Sequence, residues 1–278
     1  MRDFAGRTAF ITGGASGIGL ALGRAFAAAG ANVMLADIEA DALAAAVDGL
    51  GGTGAAVRGV TCDVTSPASL EQAAAATLDA FGKVHVLCNN AGVGGGSSID
   101  AISVETWRWV LDVNLMGVVH GVRAFLPHLR AHGEGGHIVN TASMAGIISG
   151  FGLSPYTASK FAVVAMSEGL AVDVAPFGIG VSVLCPGFVR TRIGESQRNR
   201  PQRYGPAQIP APGSPGGAIA AEVIARVQSG MDPDAVASQV LRAMQEDRLY
   251  VFTHPGFRAE TEQRFATILR AMETSTSP

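Results

Sequence analysis

Two side chains in the stretch SPYTASK, Tyr156 and Lys160, have the types and spacing of a proton-transfer pair. Ser154 followed by Pro155 is typical of a helix start, so the phenol and the ammonium should lie one turn apart on one helix face. A phenol with a pKa near 10 needs about 3 kcal/mol of assistance to act as a base near neutral pH. An ammonium about 4.5 Å away supplies roughly that much at an effective dielectric near 20. The same spacing also occurs where a tyrosine packs beside a solvated lysine.

Other polar residues follow predicted strands at the edge where sites of doubly wound sheets lie. Ser143, in NTAS, ends the fifth predicted strand shortly before Tyr156, and its hydroxyl could hold a substrate oxygen beside the phenol. Asn89 and Asn90 end the fourth predicted strand. Asn114 lies in an otherwise apolar helical stretch, where its amide needs hydrogen-bond partners. The alternative for Asn114 is a satisfied core amide.

The first predicted strand runs directly into a glycine-rich turn, TGGASGIG, that opens a helix. Glycines at such a turn let the backbone approach a pyrophosphate, which then binds the free N–H groups at the helix N-terminus. The spacing of Gly13, Gly17 and Gly19 differs from the G-x-G-x-x-G fingerprint, so the turn alone is weak evidence. Asp37, at the end of the second predicted strand, stands where a ribose-binding acid is expected and strengthens the prediction.

Asp37 also favours NAD over NADP. A carboxylate accepts hydrogen bonds from ribose hydroxyls but repels a 2′-phosphate by about 4 kcal/mol per charge at 4 Å and an effective dielectric near 20. We find no basic residue close in sequence to offset this, because Ser16 lies in the turn and Ile38 follows the acid. Arg24, on the first helix, has no evident reason to face a phosphate.

These residues require a sheet to position them, and apolar strand-like runs do alternate with alanine-rich helical segments. The alternation predicts an α/β fold in which helices cover both faces of a doubly wound parallel sheet of about seven strands. We expect one dinucleotide-binding catalytic domain over 1–278. The predicted strands are 7–12, 31–37, 55–63, 84–90, 136–143, 179–187 and 248–254.

Two segments follow the sixth predicted strand and differ from this rhythm. The segment 191–230 begins rich in Pro, Gly and Arg, and we interpret it as a substrate lid. Five arginines between 190 and 203 could bind a substrate carboxylate or phosphate, or could be solvated on a mobile lid. An amphipathic C-terminal helix is predicted over 256–272.

Composition excludes several functional classes. A net charge of −3 and a pI of about 6.1 argue against a nucleic-acid or anionic-membrane partner. Cys62, Cys88 and Cys185 are far apart and follow apolar runs, which favours reduced core thiols and a cytoplasmic location. His128 and His132 are better placed to interact with a helix dipole than to bind metal, and no metal site is predicted.

Taken in order, these motifs resemble the short-chain dehydrogenase/reductase family. The resemblance rests on TGGASGIG, Asp37, CDV, NNAG, Asn114, Ser143, YTASK and PGFVRT, and it covers essentially residues 5–190. The lid and tail further resemble the subgroup that contains bacterial dehydrogenases of the Cα alcohol of lignin-type β-aryl ethers. The family resemblance implies hydride transfer between NAD(H) and a secondary alcohol or its ketone, apolar or aromatic in this case, and a homotetramer or homodimer.

It also implies roles for individual residues. Tyr156 would be the general acid/base, Lys160 would bind the nicotinamide ribose and lower the phenol pKa, Ser143 would polarise the substrate oxygen, and Asn114 would position a relay water. The implied cofactor-binding residues, besides Tyr156 and Lys160, are Gly13, Ser16, Gly17, Ile18, Gly19, Asp37, Asp63, Val64, Asn90, Pro186, Gly187, Val189 and Thr191. Two alternatives stay open: an NADPH-dependent carbonyl reductase and a non-catalytic NAD-binding regulator.

Overall fold

The computed structural model describes residues 1–51, 54–95, 99–150, 152, 154–211 and 213–274. Its centre is a parallel seven-stranded sheet of order β3-β2-β1-β4-β5-β6-β7, which confirms the predicted fold class. The chain reverses its direction of winding between β1 and β4, where doubly wound sheets open a crevice at their carboxyl edge. The strands are β1 Thr8–Thr12, β2 Asn32–Asp37, β3 Val57–Thr61, β4 Val86–Asn89, β5 Gly136–Thr141, β6 Ile179–Cys185 and β7 Tyr250–Phe252.

Helices connect the strands and cover both faces of the sheet. Every residue of β1, β4 and β5 is buried, as expected for strands with a helix layer on each side. The α-helices are α1 Gly17–Ala28, α2 Ala40–Leu50, α3 Pro67–Phe81, α4 Val104–Leu111, α5 Gly117–Ala131, α6 Ser154–Val174, α7 Pro215–Gln228, α8 Pro233–Gln245 and α9 Arg258–Thr274.

Two apolar layers hold this arrangement. On one face, Phe26 and Leu35 belong to a cluster that packs α1 and α8 against the sheet. On the other, Phe10 and Phe125 stack with ring centroids 4.2 Å apart, joining β1 to α5. Packing of aromatic and aliphatic side chains on both faces fixes the position of each strand along its own axis. It therefore also fixes the relative positions of the residues at the carboxyl ends of the strands.

The stretch from Val104 to Ala131 is helical throughout, because a π-helical turn, Asp112–Met116, joins α4 to α5. By length and composition this stretch could cross a membrane, and among the described residues it is the one helix that meets those criteria. Its contacts are those of a core helix: α5 packs on α3 and β4, and α4 packs on α6.

The predicted elements differ from the observed ones mainly at their ends. Strand β5 ends at Thr141, so Ser143 lies beyond it and caps a short 3-10 turn, Met144–Gly146. Ser154 is the first residue of α6, although we predicted it as the residue before the helix. The predicted lid contains two 3-10 segments, Ile193–Asn199 and Gln202–Tyr204, followed by α7.

Candidate active site

The turn between β1 and α1 forms a tight backbone cradle. Gly13 and Gly17 have φ of 64° and 54°, which side chains rarely adopt. A Cβ on Gly19 would stand 2.0 Å from the Gly13 carbonyl oxygen, so a side chain there would displace the turn. Ser16 begins the helix without a side-chain cap, so its hydroxyl does not occupy the free N–H groups of the first turn. These residues therefore fit a dinucleotide pyrophosphate.

Asp37 ends β2 beside this cradle. Its two carboxylate oxygens accept hydrogen bonds from Ala15 N at 3.0 Å and Glu39 N at 3.1 Å, which orients the acid at the rim of the cavity. The nearest arginine in sequence, Arg24, pairs instead with Asp234 at 3.0 Å. The turn, Asp37 and α1 together have the arrangement that holds the adenosine half of NAD.

Two arginines that are distant in sequence lie beside Glu39, two residues after Asp37. Arg198 lies 2.5 Å from a carboxylate oxygen of Glu39, and Arg192 lies 3.8 Å from the other. Asn199 donates a hydrogen bond to Glu39 at 2.8 Å. Both arginines belong to the lid, and their distance from Glu39 in the sequence gave no reason to predict this contact. Hydrogen bonds from Arg198 and Asn199 lower the pKa of Glu39.

The next strand ends contribute Asp63 and Asn90. Asp63 accepts hydrogen bonds from Thr65 N at 2.9 Å and Thr65 Oγ1 at 2.7 Å, and Arg203 lies 3.3 Å away. Burial would raise the pKa of Asp63, but these hydrogen bonds outweigh it and the pKa is lowered. The amide of Asn90 donates to the Thr12 carbonyl at 3.0 Å and so ties β4 to the cradle.

Ser143, Tyr156 and Lys160 line the same cavity. The ammonium of Lys160 lies 5.6 Å from the centroid of the Tyr156 ring and donates to the Thr141 carbonyl at 2.8 Å. Burial raises the pKa of Tyr156, although a hydrogen bond with Ser143 acts in the opposite direction. Burial also lowers the pKa of Lys160 to about 8. In the protein alone, the Tyr156 phenol is therefore protonated at neutral pH, and the pKa of the Lys160 amine lies only slightly above neutral pH.

Asn114 lies in the π-helical turn, a distortion that is frequent at functional sites. Its side chain is fully buried and satisfied: Oδ1 accepts from Val93 N at 2.8 Å, and Nδ2 donates to Val93 O at 3.0 Å and to Ser159 Oγ at 3.2 Å. Ser159 in turn donates to the Tyr156 carbonyl at 2.6 Å. The amide thus links the floor of the cavity to the helix that carries Tyr156, and its role in a proton relay stays a prediction.

The loop after β6 closes the other side of the cavity. The Pro186 carbonyl accepts from Met144 N at 2.9 Å, and Gly187 N donates to His254 Nδ1 at 3.1 Å. Val189 forms a bridge to Met231. The predicted residues Pro186, Gly187, Val189 and Thr191 all line the cavity, as do Ile18 and Val64.

The cavity has a volume of about 570 Å³, which suits a cofactor and a small substrate. Its walls are mostly apolar. Trp109 contributes from α4 and Phe257 from the C-terminal region, and the lid adds Ile193, Ile209, Ile219, Val223, Ile224 and Val227.

The lid arginines bind partners in the protein. Arg190 pairs with Asp232, Arg192 with Glu195, Arg198 with Glu39 and Arg203 with Asp63. Arg200 donates to Thr106 Oγ1 at 3.0 Å and lies over the Trp109 ring, 5.2 Å from its centroid. Arg198, Arg200 and Arg203 thus fasten the lid to the body of the domain, whereas the Arg192–Glu195 pair lies within the lid and Arg190 and Asp232 flank it. This arrangement favours neither the predicted anion-binding role nor a free, solvated lid.

Comparison with known proteins agrees with this geometry. The family model described as short chain dehydrogenase matches residues 7–202. The chain belongs to this family. It is 33% identical to the C alpha-dehydrogenase of Sphingobium sp. strain SYK-6, over 97% of this chain and 87% of that protein.

Two solved structures extend the comparison. A short chain dehydrogenase/reductase from Burkholderia phymatum in complex with NAD is 41% identical, has a TM-score of 0.94, and the match covers 98% of this chain and 97% of that one. The apo form of LigO from Sphingobium sp. strain SYK-6 is 32% identical with a TM-score of 0.84, over 100% and 93% of the two chains. This chain is therefore an oxidoreductase of the short-chain dehydrogenase family, and it resembles the Cα-dehydrogenases in particular.

Some residues that shape the site of this short-chain dehydrogenase carry no sequence signal of their own. Thr12 Oγ1 accepts from Asn90 N at 2.9 Å and Ala91 N at 3.0 Å, and Thr141 provides the carbonyl that holds Lys160. A glycine-turn or strand-end argument could have suggested Thr12. Nothing in the spacing identifies Thr141, because it acts through its backbone.

A second polar cluster lies at the opposite edge of the sheet and joins His85, His132 and Glu134. His85 Nδ1 accepts from Thr8 N at 3.1 Å, and His132 Nδ1 accepts from Glu134 N at 3.1 Å. The other ring nitrogens face the Glu134 carboxylate and the Val84 carbonyl. The ring nitrogens are thus used in internal hydrogen bonds. The three thiols, Cys62, Cys88 and Cys185, are free and buried, as predicted.

Proposed function

We propose that this short-chain dehydrogenase transfers a hydride between NAD(H) and a secondary alcohol or its ketone, with Tyr156 as general acid/base. The observation that carries the proposal is the meeting of Ser143, Tyr156 and Lys160 in one cavity with the glycine cradle and Asp37. The residues come from four separate parts of the chain, and the fold brings them to one sheet edge. A packed tyrosine beside a solvated lysine does not fit, because Lys160 is only 3% exposed.

Each residue has a definable task in this reaction. NAD⁺, held by the glycine cradle and Asp37, would supply the hydride acceptor. Ser143 holds the substrate oxygen beside Tyr156, which takes the hydroxyl proton in oxidation and returns it in reduction. Lys160 binds the nicotinamide ribose from a position fixed by the Thr141 carbonyl, and its charge favours the phenolate. Asn114 holds the floor of the cavity and positions a relay water.

The substrate class follows from the cavity wall. Apolar side chains of the lid and Trp109 favour an apolar or aromatic group on the carbinol carbon, because they stabilise burial of such a group and leave polar substituents unpaired. We propose a benzylic secondary alcohol, a choice that the resemblance to Cα-dehydrogenases supports.

The test is a panel of benzylic and aliphatic secondary alcohols and ketones, followed by NADH absorbance with both nicotinamide cofactors. We expect turnover with NAD on benzylic alcohols and a loss of at least about 10³-fold in Tyr156→Phe, since the variant cannot move the proton. Binding of NAD to Tyr156→Phe should be retained. Absence of turnover on the whole panel, with NAD still bound, would instead support the non-catalytic regulator, and preference for NADPH would support the carbonyl reductase.

We also propose that the protein is a cytoplasmic homotetramer. Free buried thiols suit a reducing compartment. Exposed apolar side chains on α6 and near α5, such as Val172 at 75% exposure and Met116 at 38%, support assembly through these helices. Light scattering tests the mass, and a monomer would refute the assembly. Val172→Glu should shift a tetramer toward smaller species.

A further inference from the structure

Glu39, at the rim of the cavity beside Asp37, pairs with two arginines of the lid. Arg198 donates two hydrogen bonds to one carboxylate oxygen of Glu39, from Nε at 3.0 Å and Nη2 at 2.5 Å. Arg192 approaches the other oxygen at 3.8 Å. Both guanidinium groups line the cavity together with Asp37 and Glu39. The rim beside the ribose acid thus contains two carboxylates and two guanidinium groups.

Glu39 is held next to Asp37, the proposed ribose-binding acid. Glu39 N donates to the Asp37 carboxylate at 3.1 Å, so the backbone of Glu39 is fixed against the ribose-binding acid. The Glu39 side chain is only 25% exposed and that of Arg198 27%, which makes the pair better ordered than a fully solvated one. An arginine that forks onto a carboxylate is not available to a phosphate, although it has the geometry to bind one.

We propose that Glu39 is a second cofactor-specificity residue, which disfavours NADP by occupying Arg198. Asp37 repels a 2′-phosphate directly, whereas Glu39 acts by occupying a cation that could otherwise bind that phosphate. Arg192 contributes less, because its nearer partner is Glu195 at 2.9 Å. Removal of Asp37 alone leaves Arg198 paired with Glu39, so the rim tolerates NADP without offering it a free guanidinium group. Removal of both carboxylates leaves Arg198 available to a phosphate, while Arg192 keeps its pairing with Glu195. The inference rests on the proposed cofactor site.

The experiment compares binding of ADP-ribose and 2′-phospho-ADP-ribose by calorimetry, so it needs no turnover. We expect Asp37→Ala to improve the affinity ratio in favour of the phosphorylated ligand by about tenfold. Glu39→Gln added to Asp37→Ala should improve it by about another tenfold, because a charge-assisted hydrogen bond becomes available. Arg198→Gln added to that double variant should remove the second gain.

A matched control is Glu222→Gln in the Asp37→Ala background. Glu222 pairs with Arg226 on the exposed face of α7, and its neutralisation changes the net charge of the protein by the same amount. This control should leave the ratio unchanged. If Glu39→Gln unfolds the protein, the same affinity ratio is measured with Glu39→Ser, which also removes the carboxylate.

Two results would overturn the inference: an unchanged ratio when Glu39 is neutralised, or a gain that persists without Arg198. The second would mean that Glu39 acts through its own charge alone. Failure of the proposed function looks different, since it would appear as normal ADP-ribose binding without turnover of any alcohol, or as no ADP-ribose binding at all.

Discussion

Lys160 is predicted to reduce the stability of the folded protein while it serves the reaction. It is 3% exposed, and burial lowers its pKa to about 8. Since a free lysine has a pKa of about 10.4, an ammonium at this position costs about 3 kcal/mol at pH 7. Lys160→Met removes the charge and keeps a side chain of similar length. It also removes the hydrogen bond to the Thr141 carbonyl, which costs about 1 to 3 kcal/mol.

At pH 7 the gain from removing the buried charge and the loss of the hydrogen bond oppose one another. The decisive quantity is therefore how the difference in unfolding free energy between Lys160→Met and wild type changes with pH. The pKa of Lys160 is lower in the folded than in the unfolded chain, so the unfolded chain binds more protons above pH 8 and the wild type gains stability as pH rises. Between pH 7 and 9 this gain is about 1 kcal/mol, and Lys160→Met lacks it. Neighbouring groups do not confuse the comparison, because burial raises the pKa of Tyr156 and raises that of Cys185 to about 12.

The assay is urea unfolding of the apo protein at pH 7, 8 and 9 for both chains. We expect the free energy of unfolding of Lys160→Met, relative to wild type, to be most favourable at pH 7 and to decline by about 1 kcal/mol at pH 9. A difference that is independent of pH, or that grows in the variant's favour, would refute the reasoning. The variant should also lose turnover, which would show that the stability cost of Lys160 serves function.

Two further predictions concern packing and the loop after β6. Gly121→Ala should lower the free energy of unfolding in urea by about 2 kcal/mol, because the new Cβ would stand 2.0 Å from Asn89 Oδ1. Gly169→Ala should raise it by up to about 1 kcal/mol, because a Cβ there meets no atom within 4 Å. Equal effects of the two substitutions would contradict this prediction. His254→Leu should weaken NAD binding by about tenfold and leave ADP-ribose binding unchanged. The reason is that His254 Nδ1 accepts a hydrogen bond from Gly187 N at 3.1 Å, in the loop proposed to face the nicotinamide. His254→Asn should restore part of the lost affinity. Equal weakening of both ligands would show a general structural role.

Much of the fold was predictable because short-range patterns determine it. Each strand of the sheet lies within a predicted strand, since buried strands of a parallel sheet are short apolar runs between helices. Their ends were less certain: the third was predicted over 55–63 and is Val57–Thr61. Ser143 was assigned to a strand that ends at Thr141, because local sequence does not show where the neighbouring strand stops offering hydrogen bonds.

Local sequence was enough to predict what kind of site this is. The glycine turn, Asp37, and the spacing of Tyr156 and Lys160 are local features, so their types and order were sufficient to predict a nicotinamide site. Tertiary structure decided how strongly each group is perturbed and what each lid arginine binds. Arg198 reaches Glu39 across 159 positions of the chain, a contact that depends on how the lid folds back over the sheet edge. Such contacts arise from packing of distant segments, and no local pattern encodes them.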